Sequence, residues 1–224
     1  RTIYERRTQT VACMMLMTLY PPDRVNRERS PRPFANGQFM LFDRTWYESI
    51  NGHEAVRDDL LEDIAFSRRI HQAGGRVTML NSDGLLRCSM YSSSQAFRRG
   101  WQRIFIEACH RRPRQLRKWA LRMRLLGVLL PLAAVVGVVL GAITWMAGES
   151  GLGIVTVGWC ATALVLQAMV VSAIYRSFYQ TWRSIWRFPM GCEDLARILT
   201  GASDLLTRGE PVVWGGREYV LEPR

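Results

Sequence analysis

Glu62 and Asp63 stand among leucines in the stretch DDLLEDIAFSRRIHQAGG, residues 58 to 75. Side by side at the start of a predicted helix, they invite two explanations. Acidic residues are ordinary in a first helical turn, where they face the positive end of the dipole. A carboxylate there can also serve as a general base if it reaches the hydroxyl it must deprotonate. A second constellation follows in SSSQAFRRGWQRIF, where Gln95, Arg98, Arg99 and Trp101 come close together. Guanidinium forks suit phosphate oxygens, and an aromatic beside them offers a stacking face for a diphosphate-bearing ligand. The structural alternatives are a capping box from Ser92 to Gln95, lipid-facing arginines and a tryptophan in the core or at an interface.

The elements that must position these residues form a mixed pattern. Residues 11 to 20 read as a buried or interfacial segment, too short for a span and without the cleavage pattern of a signal peptide. The Pro- and Arg-rich stretch 21–37 reads as a loop. QFMLF, RVTML and LLRCSMY have the alternation of strands, and DRTWYESING that of a short helix stopped by Gly52. The opening stretch reads as a helix capped by Asp58 or Asp59. Its apolar pairs are Leu60/Ile64 and Leu61/Ala65, and Gly74-Gly75 ends it. Residues 92 to 110 form another helix, with Phe97, Trp101, Ile104 and Ala108 on one face. The soluble part is therefore an α/β unit, small for an independent enzyme of that class.

Charge and hydropathy divide the rest. The net charge is +11, and Lys118 is the only lysine. Between Arg98 and Arg124 ten basic residues accompany a single acid, Glu107. No charged residue occurs from Leu125 to Gly148, nor from Ser150 to Tyr175. Each run is long enough to cross a hydrocarbon core as a helix. We read a transmembrane hairpin, about 125–148 and 151–175, with Glu149 in its turn. Arginines precede the first span, and Arg176, Arg183 and Arg187 follow the second. The positive-inside rule then expects both ends in the cytoplasm and the basic belt against anionic lipid, not nucleic acid. Ala133, Gly137 and Gly141 make a small-residue series, either for dimerisation or for close packing against the second span. The tail 176–224 reads as an amphipathic helix to about residue 208, then a hairpin with a Gly-Gly turn. Five cysteines without paired spacing suggest neither disulfides nor zinc, and His53, His71 and His110 show no ligand spacing.

In order and context, FANGQFMLFDRTWYESINGHEAVRDDLLEDIAFSRRIHQAGGRV resembles the second half of the catalytic domain of family 2 glycosyltransferases. In particular it is similar to bacterial membrane-bound enzymes related to ceramide glucosyltransferase and to hopanoid- or carotenoid-associated transferases. The matching features are the Gly-Gln at Gln38, the Gly-His, the Glu-Asp, and a Gln/Arg-rich helix ahead of spans. They cover about residues 20 to 124.

The resemblance implies several things. The fold would be the C-terminal half of a GT-A-type domain (residues 1–124) followed by the hairpin and tail. Asp63 would be the base of an inverting transfer, with Glu62 beside it. Gln38, Gln95, Arg98, Arg99 and Trp101 would bind diphosphate or acceptor. Gln95 and Arg98 would match the first part of a Q-x-x-R-W motif, although residue 99 is Arg and the tryptophan comes at 101. Partners would be a nucleotide-sugar donor and a lipid acceptor at a bacterial inner membrane, with the catalytic part cytoplasmic. The family's divalent metal, Mg or Mn, is held by an Asp-x-Asp in a donor-binding half. No two aspartates here are so spaced, and the chain opens on Arg1, so we expect a truncated chain whose metal ligands lie elsewhere. Two rivals stand beside this reading: a non-catalytic membrane protein binding lipid or a partner, and a processive polysaccharide synthase, for which two spans are few.

Overall fold

The computed structural model describes residues 3–27, 32–86, 88 and 90–224. The chain divides into two compact units, Arg1–Met14 with Arg114–Ser203 and Met15–Pro113 with Asp204–Arg224. It is mostly helical, and the described sheet is one two-stranded hairpin, so the α/β expectation gives way to a helical architecture.

The first unit is built from α1 (Ile3–Leu19), α6 (Pro113–Arg124), α7 (Leu130–Met146), α8 (Ser150–Ser177) and α9 (Phe188–Arg208), taken over the residues assigned to it. Helices α6 and α7 run on as one 34-residue apolar-ended rod, and α8 adds 28 residues. Both are long and apolar enough to cross a membrane. Their outer faces stay uncovered: Leu132, Val139, Leu140, Val155, Trp159 and Leu166 are all exposed. The inner faces meet through small residues. A Cβ on Gly153 would lie 2.5 Å from the Trp145 backbone nitrogen, and one on Gly141 would lie 3.0 Å from Val157 Cγ2. The small-residue series thus serves packing within the hairpin. Ala134 is the buried alanine of that ridge, while Ala133 is exposed.

Pro131 carries no N–H and its ring presses on the carbonyl four residues back. The turn at Leu125–Leu129 widens to π geometry to take it up. The Leu126 carbonyl released there accepts a hydrogen bond from Gln167 Nε2 at 3.0 Å. On α9, buried Asp194 accepts from Thr8 Oγ1 at 3.0 Å and pairs with Arg7. Glu193 bridges Arg124 (3.1 Å) and Arg197 (2.9 Å), which hold its carboxyl below the usual range. Arg124, expected to face lipid, is therefore tied to the tail. The tail is also not one helix: α8 runs to Ser177, a 3₁₀ segment occupies Trp182–Arg187, and α9 follows.

The second unit holds α2 (Pro22–Val25), α3 (Arg44–Ser49), α4 (Glu62–Gln72), α5 (Ser94–Ala108) and the hairpin β1 (Val212–Trp214) with β2 (Arg217–Tyr219). Asp43 caps α3 by accepting from Thr45 N at 2.9 Å. The helix ends ahead of Gly52, at Ile50 and left-handed Asn51. Leu61, not Asp58 or Asp59, is the N-cap of α4; Asp59 instead pairs with Arg69 at 3.7 Å. At its other end Gly75 N donates to Ile70 O and Gly74 N to His71 O. Gly74 at φ 92° makes that stop possible. Ser93, not Ser92, caps α5, accepting from Ala96 N at 3.1 Å. The core of this unit is aromatic: Phe66, Phe97 and Phe105 are buried, with Trp101 stacked on Phe105.

The three stretches expected as strands form no ladder among the described residues; Arg87 and Ser89 of the third lie outside them. Residues 76–80 do alternate between exposed and half-buried. A strand, however, exists only where a neighbour takes up its N–H and C=O groups. Here one side chain does part of that work, as Asn26 bonds both the N–H and the carbonyl of Met79 at 2.7 and 2.9 Å. Apolar side chains in these stretches remain exposed, Leu41 and Leu80 on extended chain, Phe39 and Leu85 at the ends of turns closed onto Asn36 and Ser82.

Candidate functional site

The best-formed polar cluster of the second unit gathers at the start of α4. Glu62 points to solvent, whereas Asp63 is half-buried. Asp63 Oδ1 accepts from Ile64 N at 2.7 Å, taking up one of the donors that a helix start leaves without intrahelical partners. Its Oδ2 accepts from Gly37 N, also at 2.7 Å, and so fastens the 34–38 loop to the helix. A Cβ at Gly37 would stand 3.2 Å from that oxygen, so a glycine permits the close approach. Each carboxylate oxygen keeps a further lone pair for a third partner.

Burial pushes the Asp63 carboxyl above the ordinary aspartate value, and the charge of Glu62 adds to this. The two N–H groups and Arg103 act against it. Arg103 is the cation that α5 supplies. It is 7 % exposed, and its guanidinium donates to Leu60 O at 2.9 Å while Nε has no partner. The face of Trp214, on β1, lies 3.7 Å from the guanidinium carbon. Glu62, Tyr91, Asp63 and Tyr219 are the groups whose charges bear on it. The hairpin that presents Trp214 turns through Gly215 and Gly216, both at positive φ, with Trp214 opposite Arg217.

The remaining sequence candidates are spread over this unit. Gln38 is exposed in the turn after Gly37, its backbone N–H bonded to Asn36 Oδ1 at 3.2 Å and its amide against Met90 Sδ. Gln95, Arg98 and Arg99 are exposed on the first turns of α5. Trp101 is 4 % exposed and packs between Phe97 and Phe105, so its ring is part of the core and offers no open stacking face. His53 is structural as well, bonded to the Tyr47 hydroxyl at 2.6 Å and edge-on to Phe66.

Arg103 escapes a reading by sequence, while Gly37 is legible only in the Gly-Gln and Trp214 only beside the Gly-Gly turn, neither with a role in this cluster. Arg103 had one available signal: with Gly100 and Glu107 it forms a stripe at spacings of three and four, and all three are buried in α5. Nothing in the sequence links Trp214 to it across a hundred residues.

The expected divalent metal finds no donor set here. Among the described residues no three His, Cys, Asp or Glu side chains gather. The cysteines are free, and burial pushes the Cys13 and Cys109 thiols up to about 12, away from nucleophilic chemistry. What the cluster can do is accept a proton at Asp63 beside a fixed positive charge. No protein-family model, curated protein or solved structure matches this chain.

Proposed function

We propose that this chain is the acceptor-side part of a membrane-bound inverting glycosyltransferase that moves a sugar from a nucleoside-diphosphate donor to a lipid hydroxyl. The observation that carries the reading is the Asp63 carboxylate, lifted in basicity by burial and held by the Gly37 and Ile64 N–H groups beside Arg103. In the reaction the acceptor hydroxyl oxygen attacks the anomeric carbon in line. Asp63 takes its proton, and the bond to the diphosphate oxygen breaks on the opposite face. The exposed guanidinium groups of Arg98 and Arg99 receive the departing diphosphate, an electrostatic contribution that can dominate such catalysis.

Two further observations support the reading. Helices α7 and α8 give the chain a means of staying at a bilayer, where a lipid acceptor need not leave its leaflet. The exposed Leu80, on the extended stretch 76–80, is a residue that a GT-A sheet with a donor-binding half would cover. That half would also bring the metal ligands. Both ends of the hairpin then face the cytoplasm, in accord with the arginines on either side of the spans.

The test uses the full-length protein in vesicles, offered radiolabelled nucleoside-diphosphate sugars and a lipid extract. Label should pass to the lipid phase from one donor, and Asp63→Asn should reduce transfer about a hundredfold to ten-thousandfold. Full turnover by Asp63→Asn, or no transfer from any donor, would sink the proposal and favour a non-catalytic, lipid-binding membrane protein.

A further inference from the structure

A second polar site lies in the same unit, toward the C-terminal end of α4. A cleft of about 280 Å³ is lined by Tyr20, Arg32, Arg68, His71, Gln72 and His110, with Pro33 completing its wall. Arg68 and His71 are five and eight residues beyond Asp63. At the helical rise that is about 7 and 12 Å along the axis, so the cleft is separate from the Asp63 cluster. Among the described residues no acidic side chain lines it.

Basic groups at helix C-termini are common because they complement the dipole, and that alone would account for His71 and His110. It does not account for Tyr20. The Tyr20 ring stacks on Phe34 at 4.7 Å, and the residue is 2 % exposed, yet its hydroxyl has no hydrogen-bond partner. Arg68 acts on that hydroxyl by charge and as a side-chain hydrogen-bond donor, but no bond of full hydrogen-bond geometry satisfies it, and no ion pair of Arg68 occurs among the described residues. A buried donor left unsatisfied is costly, and buried polar groups in native proteins almost always find a partner. The cations also crowd one another: burial, then Arg68, Arg32 and Arg112, hold the His110 imidazole below its ordinary value, with Glu107 acting the other way.

We infer that this cleft binds a phosphate monoester group, with the Arg68 guanidinium, the Tyr20 hydroxyl and the two imidazoles donating to its oxygens. Forked guanidinium donors and an unpaired phenol match a tetrahedral oxyanion. The volume, just below the usual range of small-molecule pockets, suits the group with a small substituent. The same chemistry is carried by a soluble phosphate compound and by a lipid with a monoester headgroup.

The experiment measures thermal unfolding of the full-length protein in phosphatidylcholine nanodiscs. In one arm inorganic phosphate replaces chloride at constant ionic strength. In the other, phosphatidate is built into the disc, with phosphatidylglycerol at matched charge as the diester control. Stabilisation by inorganic phosphate assigns a soluble ligand. Stabilisation by phosphatidate alone, beyond phosphatidylglycerol, assigns a lipid headgroup. Either response should weaken at least tenfold in Arg68→Gln and persist in Arg44→Gln, an exposed arginine elsewhere in the unit. Tyr20→Phe should weaken it several-fold while melting no lower than wild type without ligand, and it decides the matter if Arg68→Gln does not fold. No stabilisation in either arm, or an equal loss in Arg68→Gln and Arg44→Gln, would overturn the assignment.

Discussion

In the α7–α8 hairpin, side chains face outward and backbones approach one another inward; around Asp63 charged side chains turn inward and meet backbone N–H groups and an aromatic face. Each arrangement answers its own cost. In a bilayer, which α7 and α8 are long and apolar enough to cross, helices without charge would gain little from hiding apolar surface and would associate through close packing and an occasional polar bond. Gly141, Gly153 and the Gln167 bond to Leu126 O are those devices. In the second unit the aromatic core drives collapse, and Asp63 and Arg103 are half-buried and buried at a cost that their hydrogen bonds only partly offset. Groups kept in such surroundings are frequent at functional sites. The hairpin is optimised for holding together, and the Asp63 cluster retains two charges that stability alone would not require.

The largest effect should fall on the second region. Asp63→Asn keeps shape and removes the proton acceptor, so transfer by the full-length protein should drop by at least about a hundredfold. The carboxyl must be ionised to act, and burial raises its pKa. The acid limb of the wild-type rate profile should therefore lie above the ordinary aspartate value, with activity falling as pH drops through it. The linkage to stability has the opposite sense. A folded-state pKa above the unfolded one stabilises the fold at low pH, and this contribution is lost as pH rises through the folded value. Arg103 lowers the Asp63 pKa, so Arg103→Met should move the acid limb to higher pH. A limb that stays in place would separate Arg103 from the site.

Within the hairpin, Gly153→Leu should lower the detergent-phase melting temperature, at a cost of about 1–3 kcal/mol as for overpacking. The new side chain would meet backbone that cannot yield. Gly158→Leu, with nothing within 4 Å of its Cβ, should leave melting unchanged. Equal effects at both glycines would refute the inner-face assignment.

Trp214→Leu should cost about 0.5–2 kcal/mol by removing the face over Arg103, read by chemical unfolding alongside the rate profile. The smallest effect is expected from Gln167→Leu, about 0.6 kcal/mol, the size typical of hydrogen bonds between membrane helices. Melting of the two variants side by side ranks the cation–π contact above the interhelical bond; the reverse order would mean that the π turn depends on Gln167.

Much of this was legible in the chain because it depends on neighbours in sequence. Two uncharged runs dictate two long helices, Gly74-Gly75 dictates the stop of α4, and Gly215-Gly216 dictates the hairpin turn. Local chemistry also places two carboxylates in the first turn of α4. Tertiary structure decided the rest. Alternation in QFMLF and RVTML suggests strands, but a ladder needs a partner far away in sequence, none is met among the described residues, and Gln38 and Phe39 lie in a turn. Trp101 has the composition of a stacking platform, and Phe97 and Phe105 claim its ring for the core. Asp63 differs from Glu62 because it is half-buried and because Gly37, twenty-six residues earlier, reaches its carboxylate and not the other. Arg103, Trp214 and the cleft around Tyr20 come together from separate segments of chain. Helical periodicity assigns such residues to faces, but only packing determines which faces meet.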